Sequence, residues 1–101
     1  MLVTVDEPAD GYAVVRVTGD LDVVTAPQMG RCLSEWTATP RTVLLDLRAV
    51  SFLGCAALAI IDATSAVMST HGERLLVACS RSVRRSLQVS GVDRRVTVLS
   101  V

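Results

Sequence analysis

The sequence predicts an α/β fold, a mainly parallel central sheet of four to five strands carrying three to four helices. Three observations support that expectation. Short β-branched runs alternate along the chain with longer stretches whose apolar residues recur at helical spacing. Two of the runs, Thr42 to Leu47 and Arg74 to Cys79, are almost continuously apolar, the pattern of central strands covered on both faces. The connections between runs and helical stretches are short, which favours right-handed crossovers between parallel strands.

Tyr12 to Thr18 is β-branched and bounded by Gly11 and Gly19, so it reads as a strand, with a short edge strand over Leu2 to Val5 before it. Beyond the turn Gly19-Asp20-Leu21-Asp22, the residues Ala26, Met29, Cys32, Leu33 and Trp36 form a helical stripe behind a Thr25 N-cap. Pro27 suits a first turn, and the helix stops before Pro40. Residues 56 to 71 hold Ala57, Leu58, Ile60, Ile61, Ala63, Val67 and Met68, too long for a strand and closed by Gly72. Met29, Trp36 and Met68 are expected in the core. Ser80 caps a third helix with Val83 and Leu87 inward, Gly91 ends it, and Arg95 to Leu99 closes the order β-β-α-β-α-β-α-β.

Half of the 101 residues are apolar, enough for one domain over residues 1 to 101 to bury a core without disulfide or metal staples. Ten Arg and no Lys balance ten Asp plus Glu, but unevenly: Met1 to Asp22 carries five acids against Arg16, and residues 71 to 101 carry six Arg against Glu73 and Asp93. That polarity can steer a charged partner. It is no nucleic-acid footprint, and Arg81, Arg84 and Arg85 read as a solvated helix face. The apolar stretch from Phe52 to Met68 is interrupted by Asp62, Thr64 and Ser65, short of the about 18 unbroken residues of a membrane span. With no export signal at Met1, a cytoplasmic protein is expected. Cys32, Cys55 and Cys79 form no C-x-x-C pair, which argues against a disulfide framework or zinc. A net charge of zero permits weak pairing into a homodimer.

Signals for enzyme chemistry are lacking. His71, the one histidine, falls at a helix C-terminus, where its charge complements the dipole. No carboxylate cluster has metal-ligand spacing, and neither a Walker lysine nor a G-x-G-x-x-G or G-x-S-x-G motif occurs, so no cofactor is implied. Packing leaves two segments unexplained: the acidic turn Gly19 to Ala26, and Asp46 to Leu58, a strand end feeding a small-residue entry into the second helix. Both lie at C-terminal ends of strands, where α/β sheets build their sites.

At these residues the sequence resembles the STAS domains, in particular the bacterial anti-sigma-factor antagonists. The Gly-x-Leu-Asp turn with its Thr-Ala start at Gly19 to Ala26, the run Val43 to Phe52, and Val83-Arg84-Arg85-Ser86-Leu87 followed by Gly91-Val92-Asp93 carry the resemblance over essentially the whole chain. The family typically continues Asp-Ser-Ser-Gly-Leu after that Phe and one residue, and the second serine accepts phosphate from an anti-sigma factor that is also a kinase. The unphosphorylated antagonist holds this ATPase-type partner and frees the sigma factor; the phosphorylated form lets go. Here Gly54 stands for the Asp, Cys55 for the first Ser, Ala56 for the phosphoacceptor and Ala57 for the Gly. Without a hydroxyl, Ala56 cannot take the roughly −1.5 to −2 charges of a phosphate.

The resemblance implies a binding module whose partner is a kinase-type anti-sigma factor and whose contacts are Asp20, Asp22, Val23, Thr25, Gly54, Cys55, Ala56 and Ala57, and helical spacing adds Ile60, one turn beyond Ala56, as an apolar anchor or a further core residue. Local readings stand beside these. Asp20 and Asp22 suit bonds to nearby backbone N-H groups, and Ser51, the hydroxyl nearest Ala56, suits a structural place in the loop. Cys55 fits a small Ser-sized space, half-buried. It also fits a redox role, because a helix N-terminus favours a thiolate that peroxide can oxidise. Cys32 and Cys79 belong to the core. The fold itself fixes no partner, and a transporter accessory, a signalling scaffold or a small-ligand sensor is the alternative.

Overall fold

The computed structural model describes residues 1–99. Its strands and helices follow the expected order: β1 (Leu2–Ala9), β2 (Tyr12–Thr18), α1 (Ala26–Trp36), β3 (Thr42–Ala49), α2 (Cys55–Thr70), β4 (Leu76–Cys79), α3 (Arg81–Ser90), a 3-10 turn (Val92–Arg94) and β5 (Thr97–Leu99). The strands lie in the spatial order β1-β2-β3-β4-β5. β1 is antiparallel to β2, and every later pair is parallel.

The stop signals read from sequence act as expected. Ser80 accepts a hydrogen bond from the Val83 N-H, and Gly91 closes α3 at φ 82°. Gly72, at φ 72°, follows the end of α2. Elsewhere the boundaries move. β1 runs on to Ala9 rather than Val5, through a bulge between Asp6 and Ala9, because an edge strand needs no apolar alternation where solvent covers it. β4 starts at Leu76, since Arg74 instead gives its guanidinium to the Thr97 hydroxyl and the Arg94 and Val96 carbonyls. Trp36 is half-buried rather than core: it ends α1 at the rim and carries Arg41 over its ring, 4.9 Å from the centroid.

The expectation that the central strands are covered on both faces is corrected. Val15, Val17, Val43, Leu45, Leu47, Val77 and Cys79 share one core with Met29 and Leu33 of α1, Ala57, Ile61 and Met68 of α2, and Val83 and Leu87 of α3. The alternate positions Val14, Leu44 and Leu76, aligned across the sheet, point the other way, where Leu44 and Leu76 are only half-buried. Topology is the cause. Parallel strands added in one direction by crossovers of one hand put every helix on the same side.

That second face is organised by Asp46, whose side chain is 8% exposed. Its carboxylate accepts from Arg48 Nε at 3.0 Å and Nη2 at 2.9 Å, with Arg16 Nε at 3.4 Å. The bonds from Arg48, ahead of the charges of Arg48 and Arg16, hold its pKa below the usual carboxylate range against the opposing effect of desolvation. Both arginines are half-exposed, so water screens the pairing. Asp46→Asn is accordingly expected to cost about 1–2 kcal/mol at neutral pH. A carboxylate depressed in the folded state stabilises above its unfolded pKa and loses that contribution as pH falls through its folded value. Urea unfolding curves across that range should show the gap between wild type and Asp46→Asn closing in acid; a gap independent of pH contradicts the assignment.

Candidate functional site

The two unexplained segments meet at the C-terminal edge of β2 and β3. Gly19 leaves β2 at φ 92°, with the position of a Cβ only 3.2 Å from Met1 Cα, so both conformation and space call for glycine. Leu21 then turns into the core, fully buried. Its N-H donates to the Phe52 carbonyl at 2.9 Å, and its carbonyl accepts from the Gly54 N-H at 2.8 Å, a one-residue parallel pairing of Leu21 with Leu53. The Ser51 hydroxyl donates to Asp20 Oδ1 at 2.7 Å, joining the segments again through their side chains.

The two acids divide the work. Asp22 Oδ1 accepts from the N-H groups of Val24 (2.9 Å) and Thr25 (3.0 Å), which hold its pKa below the ordinary value, Thr25 contributing most. Asp20 instead takes the long-range bond from Ser51, so its reading as a turn-former over nearby backbone gives way to a tie between segments. Thr25 is not the expected side-chain cap of α1. Its own backbone is helical and its hydroxyl reaches back, accepting from the Asp22 N-H at 3.0 Å and donating to the Asp20 carbonyl at 2.8 Å. The Asx turn at Asp22 holds the Val24 and Thr25 N-H groups ahead of the helix, and Pro27 leaves the first turn one N-H fewer for a side-chain cap to serve. Val23 and Val24, at the tip, are 76% and 81% exposed.

Opposite this turn α2 begins. Gly54 is its N-cap in an extended conformation, φ −82°, and offers no side chain to the first N-H groups. A Cβ on Gly54 would approach the Leu21 carbonyl oxygen at 3.2 Å and the Phe52 ring at 3.3 Å. Cys55, the first helical residue, is exposed rather than half-buried; Ala56 is half-buried and Ala57 fully buried. Burial raises the pKa of the Cys32 and Cys79 thiols, more than the neighbouring charges alter either; Cys32 itself lies at the margin of the core, only half-buried. Ile60 stands apart from the rest of the predicted set: it leans on α1 at Gly30, where a Cβ would come within 3.3 Å of it.

Asp20, Asp22, Val23, Thr25, Gly54, Cys55 and Ala56 thus share one neighbourhood, with Ala57 beneath it. Sequence reasoning did not single out Phe52, 54% exposed beside Gly54, as a surface residue. The signal was an aromatic side chain directly after a loop serine, outside any apolar stripe. Among the described residues no three His, Cys, Asp or Glu gather where they would hold a metal ion, and no helix is long and apolar enough to cross a membrane. Among the described residues the parallel strands follow one another without a reversal of order.

The STAS domain model matches residues 4–100. The chain belongs to the STAS domain family. The anti-sigma-F factor antagonist RsfB of Mycobacterium tuberculosis is 32% identical over 92 residues, covering 90% of this chain and 75% of that protein. The crystal structure of an anti-sigma factor antagonist from Mycobacterium paratuberculosis superimposes with a TM-score of 0.87 at 29% identity, over 99% of this chain and 86% of that one. The Bacillus cell fate determinant SpoIIAA, in its phosphorylated form, shares the fold at a TM-score of 0.75 and 16% identity, over 98% and 92% of the two chains. This STAS domain therefore groups with antagonists of anti-sigma factors while carrying alanine at position 56.

Proposed function

We propose that this STAS protein is an anti-sigma factor antagonist that sequesters a kinase-type anti-sigma factor one to one, and that phosphorylation at position 56 does not end the association. The observation that carries the reading is the clasp between the two segments. The Leu21–Leu53 pairing and the Asp20–Ser51 bond make a single face of the acidic turn and the α2 N-terminus, with Val23, Val24 and Phe52 exposed on it. Apolar side chains at the centre supply area, and Asp20 and Asp22 supply the charge that orients a basic partner surface. Alanine at residue 56 leaves the centre neutral and closely approachable.

Calorimetric titration against the ATPase-fold anti-sigma factors of the same organism, with and without Mg-ATP, tests this. The expected result is a one-to-one complex that survives incubation with Mg-ATP and is weakened at least about fivefold by Asp20→Arg, the effect of a partly desolvated charge contact. Failure to bind any of these factors, with a transporter or other assembly captured from lysate instead, overturns the reading in favour of an accessory subunit.

A further inference from the structure

We infer that the docking face continues past α2 onto the outer face of α3, where a groove takes an apolar side chain of the anti-sigma partner and Arg85 pairs with a carboxylate beside it. The inference rests on the function proposed above and deepens it. Phe52, Cys55 and Leu58 form one wall of an open depression of about 520 Å³, and Arg85 and Val89 form the other. Val89 is 81% exposed, off the Val83–Leu87 stripe that anchors α3, and it follows Arg85 by one helical turn on the same side. A single exposed valine is ordinary. Here two large exposed side chains, Phe52 and Val89, face one depression whose floor reaches Gly54, the edge of the proposed interface.

Charge selects the occupant. No described carboxylate lies within salt-bridge distance of Arg85 on α3, whereas Asp20 and Asp22 belong to the turn between β2 and α1. A partner spanning both must present a basic group to the turn, apolar side chains over Phe52 and Val89, and a carboxylate to Arg85. Continuity with Gly54 and Cys55 makes this the same anti-sigma factor rather than a further protein.

The test uses full-length protein and the kinase-type anti-sigma factor that forms the one-to-one complex in the titration above, free of nucleotide. Val89→Lys and Arg85→Glu change exposed side chains, and thermal unfolding verifies that each variant stays folded. Each is expected to raise Kd by about fivefold or more, the scale of a contact excluded from water, and a charge reversal on the partner should rescue Arg85→Glu. A Kd within twofold of wild type for both, while Asp20→Arg still weakens binding, overturns the inference and leaves the proposed function standing. If wild type binds no such factor, both fall. Sedimentation of the protein alone supplies the remaining outcome: a dimer dissociated by Val89→Lys would assign the groove to a second copy and overturn the inference.

Discussion

Leu21→Ala is expected to lower the unfolding free energy by about 3 kcal/mol, the middle of the range for emptying a buried leucine site. In a protein of this size that corresponds to a fall in Tm on the order of 15 °C. Leu21 is fully buried, yet it sits in a turn, not in a regular element, and its backbone carries both hydrogen bonds that join the turn to the loop before α2. Removing its side chain withdraws the anchor that sets where those bonds form. The residues of the face, Val23, Val24, Phe52 and Asp20, are exposed and lie outside the core cluster that Leu21 joins, so a stability effect alone would leave binding intact in the fraction that remains folded. The clasp predicts more: at a temperature where the variant is fully folded, affinity for the anti-sigma factor also falls, and Leu21→Val, which keeps most of the volume, falls less in both measurements. Unchanged affinity in folded Leu21→Ala would mean that the turn and the α2 entry do not act as one surface.

How far this face was legible follows from the range of the interactions that build it. Local chemistry was readable. Ser80, Gly72 and Gly91 mark helix ends because a hydroxyl cap and a positive φ are decided within four residues. The apolar strands were readable too, but Leu44 and Leu76 suggested a second covering layer, since hydrophobicity reports what a residue prefers rather than which side of the sheet the crossovers occupy. Thr25 carries the right side chain for a cap and uses it backwards, because its hydroxyl is engaged by the Asp22 N-H and the Asp20 carbonyl behind it. The tie between Asp20 and Ser51 spans thirty-one positions, and nothing in either local sequence announces it. Val89 was not legible for a related reason: it borders, with Phe52 of the loop before α2, a single depression that only the packed chain creates.

Ala56→Ser is expected to restore a phosphoacceptor and with it release from the partner. Residue 56 is the second residue of α2, half-buried, on the edge where the proposed partner docks. A hydroxyl there would attack the γ-phosphorus of the kinase's ATP, ADP leaving. The product would bear about −1.5 to −2 charges. Its own fold would tolerate that well, because the first N-H groups of α2 have no side-chain cap and favour an anion. The partner would not: a surface selected to meet Asp20, Asp22 and a neutral methyl group would have to accommodate a phosphate beside those same acids. Such a mismatch is worth several kcal/mol at an interface, so the phosphorylated variant should bind about a hundredfold more weakly than wild type. Gly54→Asp in combination separates chemistry from capping. It supplies an N-cap carboxylate, but its Cβ presses on both the Phe52 ring and the Leu21 carbonyl, which must give by a few tenths of an ångström, so its stability is measured beside its phosphoryl transfer. Mass spectrometry after incubation with the anti-sigma factor and Mg-ATP, followed by titration of the modified protein, measures both steps. Should Ala56→Ser and the double variant bind the factor as wild type does and remain unmodified, the α2 entry is not presented to the kinase's nucleotide, and the missing hydroxyl has no bearing on how the complex ends.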